Sequence, residues 1–192
     1  MTGFSVPGSV RVYLPATLAT LAAGYLAGEF GAGHSAHAVT PALREWYVEG
    51  DQEELEYAAL SEAVEASLRL LAAEQATGAE LADRYRYRRV VVAADVAPAD
   101  VVAGAGRTGG DHQVPGDPAD AVRSAILLGA PVPLRAVVSV HVDDDDAVDA
   151  VRDALAALPA AGQGDDDALF ALDEALAHEL LWYDVTEIAD LI

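Results

Sequence analysis

Two short stretches of the 192-residue chain hold most of its side chains with chemical capacity: His37-Ala38-Val39-Thr40-Pro41-Ala42-Leu43-Arg44-Glu45-Trp46-Tyr47 and His178-Glu179-Leu180-Leu181-Trp182-Tyr183-Asp184. Both tryptophans lie here. Aromatic rings that bracket an arginine and a histidine can grip an anionic or planar ligand. Arg44 would supply the guanidinium fork, and His37 or His178 would carry a proton. His141 and Asp143, at the end of the apolar run 137–142, add an imidazole and a carboxylate. The candidate pocket is therefore His37, Arg44, Trp46, Tyr47, His141, Asp143, His178, Trp182 and Tyr183. The same rings can instead anchor a packed core or a contact between copies.

Other patterns carry less. His141-x-Asp143 and His178-Glu179 are ligand types for zinc, manganese or iron, but neither spacing completes a metal motif, and no metal or cofactor is assigned. Asp143–Asp146 and Asp165–Asp167 lack the alternating ladder of a calcium loop and read as solvated helix-capping clusters. Gly104-Ala105-Gly106-Arg107-Thr108-Gly109 matches G-x-G-x-x-G, yet no strand precedes it and the glycines and prolines that follow cannot open a helix, so it reads as a loop. Ser139 and His141 share one face of a strand without forming a triad. Arg84-Tyr85-Arg86-Tyr87-Arg88-Arg89 interleaves cations with rings, as a single-strand binder would. The expected role is a strand entry whose arginines pair with the Glu-rich segment 52–75.

Charge decides against that nucleic-acid reading. Thirty-two acidic and eleven basic residues leave a formal charge of -21, so phosphate backbones and anionic lipid surfaces repel the chain. The charge is clustered: ten carboxylates lie between Glu45 and Glu80, and eleven between Asp143 and Glu174. A chain that is 53% hydrophobic has enough apolar surface to fold, and the lack of cysteine removes disulfides and thiolate chemistry. No apolar run reaches the ~20 residues of a membrane span. The apolar stretch from Arg11 to Ala27 is broken by Pro15, two threonines and glycine, and reads as a strand feeding a helix instead of a signal peptide.

The elements that would position these residues follow from periodicity. Strands are expected at 10–15, 35–40, 90–94, near 121–128, at 137–142 and near 180–185. Helices are expected at 17–28, 41–48 (capped by Thr40 with Pro41 at its first position), 52–75 (capped by Asp51), after 146 until Pro159, and after 165. In the long helix Tyr57, Leu60, Val64, Leu68 and Leu71 are expected to form the buried stripe. Interleaved strands and helices predict an α+β domain over 10–192, with a loose extension at 1–9 and a Gly/Pro-rich loop at 97–118. The expected architecture is a mixed sheet of about five strands packed with helices, a two-layer sandwich for which a ferredoxin-like arrangement is one solution.

The segments Arg11–Thr17, Ala38–Tyr47, Glu53–Leu60, Val90–Val96, Ser139–Asp144 and His178–Val185 resemble an uncharacterised actinobacterial protein family. The resemblance supplies no activity or catalytic residue. It implies an actinobacterial source, a cytoplasmic location and a structural role for Arg11–Thr17. Two functions remain open on these residues. One is a binding or self-association module, either a homo-oligomer or the docking site of a protein partner, with its acidic surface suited to solubility or a basic partner. The other is a small-molecule or metal-dependent enzyme built on His37, Arg44, His141, Asp143 and His178. Nucleic acid and membrane are not expected partners.

Overall fold

A computed structural model describes residues 8–31, 35–78, 83–103 and 122–192. The G-x-G-x-x-G stretch, the rest of the loop beyond residue 103 and most of the N-terminal extension lie outside the described residues. The chain runs β1 (Val10–Thr17), α1 (Leu18–Ala27), β2 (Glu29–Phe30), β3 (Ser35–Ala38), α2 (Pro41–Trp46), α3 (Gln52–Ala76), α4 (Asp83–Arg86), β4 (Arg89–Val96), β5 (Val101–Ala103), β6 (Ala125–Leu128), β7 (Val132–Pro133), β8 (Val137–Val142), α5 (Val148–Ala161), α6 (Asp166–Ala177), β9 (Leu181–Tyr183) and α7 (Ile188–Leu191). The α+β class is as expected. The main sheet has seven strands in the order β5-β6-β3-β1-β4-β8-β9, and every pairing in it is antiparallel.

Alternation along the two central strands explains the layering. Val12, Leu14 and Ala16 of β1, with Val90, Val92 and Ala94 of β4, point to one face, where Leu18 and Leu21 of α1 and the C-terminal Ile188 cover them. Tyr13, Val91 and Ala93 point to the other face, under Leu55, Ala59 and Ala63 of α3. Helices therefore cover both faces, giving three layers where two were expected. Burying each valine contributes about 1.5–3 kcal/mol, and the near-continuous apolar run in β4 is what a strand covered on both faces requires.

α3 begins at a capping box. The Glu54 amide donates to Asp51 Oδ1 at 2.9 Å, and the Asp51 amide donates to Glu54 Oε2 at 3.0 Å. Its buried side is Leu55, Ala59, Ala63, Val64, Ser67, Leu68 and Leu71; of the expected stripe Val64, Leu68 and Leu71 are buried and Leu60 is partly buried, while Tyr57 is exposed. Small alanines at 59 and 63 let the helix lie close on the sheet. Ser67 then ties it down: its hydroxyl donates to the Ala16 carbonyl at 2.7 Å and accepts from the Val90 amide at 2.9 Å. Beyond Ser67, Leu68 and Leu71 pack on Val151 and Ala154 of α5 and Ala175 of α6. α5 continues through Pro159 to Ala161; the missing N–H falls in its last turn, where it disturbs little.

The basic segment behaves differently from expectation. Asp83–Arg86 is a helical turn, and Arg88 and Arg89 pair with Asp145 and Asp143, not with the acidic helix. Asp143 is likewise not a solvated cap. It is fully enclosed, as is Arg89, and the pair is bidentate: Nε to Oδ2 at 2.8 Å and Nη2 to Oδ1 at 2.6 Å. The Arg89 amide also donates to Oδ2 at 2.7 Å, while Nη2 reaches the His178 carbonyl at 2.9 Å. This constellation joins the start of β4, the end of β8 and the C-terminal end of α6. Nη1 has no hydrogen-bond partner among the described residues. Buried charge pairs cost much to break singly and little to replace together. Arg89→Met should lower the unfolding free energy by about 3–5 kcal/mol, and Arg89→Met with Asp143→Leu should recover most of that loss in urea titrations. Equal destabilisation by the single and double variants would contradict the assignment.

Candidate functional site

The nine residues expected to form one pocket fall in separate places. Trp46 and Tyr47 line an open groove between the end of α2 and the first turns of α3. His37 lines a deeper cavity. Arg44, His141, Asp143, His178, Trp182 and Tyr183 border neither. Arg44 donates to Gln52 Oε1 at 2.7 Å on the surface. Asp143 is committed to Arg89, and His178 caps α6 and contributes its carbonyl to Arg89. His141 and Trp182 face each other across the β8–β9 pairing, with Trp182 exposed, and Tyr183 turns the other way against the α1-side core. Among the described residues no three His, Asp or Glu side chains gather as a metal-ligand set.

The groove owes its form to a tight connection. Thr40 caps α2, with Pro41 in its first turn, and the Gly50 amide returns to the Tyr47 carbonyl at 3.1 Å before Asp51 starts α3. That reversal lays Trp46, Tyr47 and Val48 beside Glu53, Glu54 and Tyr57 around a groove of about 1020 Å³. Trp46 is 53% exposed and Tyr57 61% exposed, although rings of this size are normally turned inward. The Arg123 guanidinium lies 3.6 Å from the centre of the Trp46 ring, a cation–π contact.

The cavity arises where two central strands part. β1 and β3 pair at Val12–Ala38 and Tyr13–His37 only, while β1 continues beside β4 to Thr17. Pro15 lies beyond the last β3 pairing, so its lack of an N–H leaves no gap in that ladder. The opening between the strands, about 610 Å³, is walled mainly by apolar groups, among them Pro15, Ala23, Phe30, Ala66 and Leu70. Gly24 also lines it. A Cβ there would stand 2.2 Å from the Phe30 ring, so glycine is what lets that ring lie against α1.

One wall of the cavity is polar. His37 Nδ1 and Ser124 Oγ are 2.7 Å apart, and the Ser124 hydroxyl donates to Glu62 Oε2, which also accepts the Ser124 amide at 3.0 Å. Nδ1 itself is 3.8 Å from Glu62 Oε2, so the serine bridges the two. Burial pushes the Glu62 carboxyl up, but its contacts with His37 and Ser124 outweigh this and hold it below the usual value. Glu62 is thus a carboxylate at neutral pH and takes the single serine proton. Ser124 Oγ must then accept from Nδ1–H, which in the neutral ring leaves Nε2 as the acceptor nitrogen. His37 was visible in the sequence; Glu62 and Ser124 were not, since one lies in an acidic helix and the other beside a short strand.

A second polar group lies where β1 begins and β4 ends. Arg11 donates to Asp95 through Nε at 2.7 Å and Nη2 at 3.3 Å. Burial, and then the Glu56 charge, push the neighbouring Tyr13 phenol up to about 12. Burial, and then the Arg11 charge, hold His141 below the imidazole value of 6.5; its Nε2 lies 3.2 Å from Ser139 Oγ. The unfolded chain therefore takes up this proton at higher pH than the folded one does, and stability falls as pH drops below about 6.5. His141→Gln should flatten this part of the stability–pH profile in urea titrations between about pH 7.5 and 5.5. Parallel profiles for the two proteins would show that His141 does not contribute.

Residues 10–192 match a family model described as a family of unknown function, DUF6912. No curated protein and no solved structure matches the chain. The matched span takes in every strand and helix described above, and the chain belongs to this family of unknown function, DUF6912.

Proposed function

We propose that the protein is a binding module that docks a basic segment of a partner protein in the groove between α2 and α3. The observation that carries this reading is the exposed set of rings, Trp46, Tyr47 and Tyr57, beside Glu49, Glu53 and Glu54. Rings and carboxylates together suit arginine-rich segments: the carboxylates attract the charge, and the ring faces take the guanidinium plane. Arg123 on Trp46 is an intramolecular instance of that contact. The overall charge of -21 favours a cationic partner and speeds the encounter. A cytoplasmic location fits the use of Arg11–Ala27 as the central strand β1 and helix α1, and no helix among the described residues is long and apolar enough to cross a membrane.

A labelled short peptide of alternating Arg and Leu tests this by fluorescence anisotropy. Binding should weaken with added salt and perturb Trp46 emission. Trp46→Ala should weaken it about tenfold, as loss of an interface aromatic does. Equal binding by a Glu-for-Arg peptide, or no effect of Trp46→Ala, would remove the proposal.

Self-association is a second reading, favoured by β9. This is an edge strand, and its Leu181 and Trp182 are 43% and 56% exposed, an arrangement that invites strand pairing between two copies. Light scattering at micromolar concentration should then report a dimer that Trp182→Arg dissociates. A monomer for the unaltered protein would exclude it.

A further inference from the structure

We infer that the cavity between β1 and β3 is a binding site for a small, uncharged, largely apolar molecule bearing a hydroxyl group, which donates to His37 Nε2. This goes beyond the groove and its protein partner. The site is built by the fold: α1 and Phe30 close it on one side of the sheet, α3 on the other, and its volume of about 610 Å³ lies within the range of small-molecule pockets.

Its polarity is specific. His37 is 3% exposed, its Nδ1 is engaged by Ser124, and no hydrogen bond involves Nε2 among the described residues. The ring borders the cavity, so with Nδ1 turned to Ser124 the nitrogen left for an occupant is Nε2. In the neutral ring, with the serine proton on Glu62, that nitrogen is an acceptor, and the complementary group is a donor. A nitrogen that borders a largely apolar cavity gains from an occupant able to donate to it.

Charge narrows the class further. Among the described residues, Glu29, Glu62 and Glu65 lie in the wall against one cation, Arg69, and Arg69 is already paired with Glu65. A ligand carboxylate would meet net negative charge and an imidazole with its lone pair outward. An alcohol or phenol meets neither obstacle, and its apolar body is received by Pro15, Ala23, Phe30 and Leu70.

The probe is 2-naphthol, compared with naphthalene-2-carboxylate at neutral pH and followed by the probe's own fluorescence. Saturable binding of the naphthol is expected, with the carboxylate at least about tenfold weaker. Ala66→Phe, which fills the cavity from α3 and leaves His37, Ser124 and Glu62 in place, should abolish binding. His37→Phe should weaken the naphthol severalfold. Equal binding of the carboxylate, undiminished binding to Ala66→Phe, or no saturable binding up to the solubility of naphthol would each overturn the inference. Ala66→Phe tests it even if His37→Phe fails to fold.

Discussion

A carboxylate on the flank of α3 that faces the sheet loses part of its water, and hydrogen bonds must replace what is lost. Glu62 meets that constraint through Ser124, which gives it both an amide and a hydroxyl. Satisfying Glu62 fixes the approach of β6 to β3. The Ala38 amide then bonds the Ser124 carbonyl at 2.9 Å, and the Thr40 hydroxyl donates to the Arg123 carbonyl. Arg123 in turn lies on Trp46. One half-buried acid thus organises β6, the start of α2 and the orientation of the His37 ring.

Glu62 also lines both the groove and the cavity. The two surfaces are therefore neighbours across α3, joined through Ser124, Arg123 and Trp46. An occupant of either would bear on the same hydrogen bonds. By contrast, the Arg89–Asp143 pair is enclosed, touches neither space, and serves the junction of β4, β8 and α6.

The legible parts of the fold were those with strong local signals. The Asp51 cap and Thr40-Pro41 start marked α3 and α2 within a residue or so, and the β-branched runs marked β4 and β8. Less visible were β5, β6 and β9, three or four residues each, too short to show a period and dependent on pairing with neighbours. The buried side of α3 departs from the apolar stripe at Tyr57 because small residues, Ala59 and Ala63, face the sheet, and alanine carries little pattern. At the site, His37, Trp46 and Tyr47 were legible as residue types. Their partners were not: Ser124 lies 87 positions from His37, and only the antiparallel pairing of β3 with β6 brings them together. Asp143 illustrates the opposite error, since an aspartate within an acidic run gives no local sign that it is buried against arginine.

The arrangement of Glu62, Ser124 and His37 rests on the order of its protons. Nitrogen-15 NMR of the His37 ring near neutral pH measures it directly. Where the ring is neutral, its proton is expected on Nδ1 with Nε2 bare, and Nε2 becomes hydrogen-bonded when the cavity is occupied. A neutral ring with its proton on Nε2 and Nδ1 bare would contradict this order.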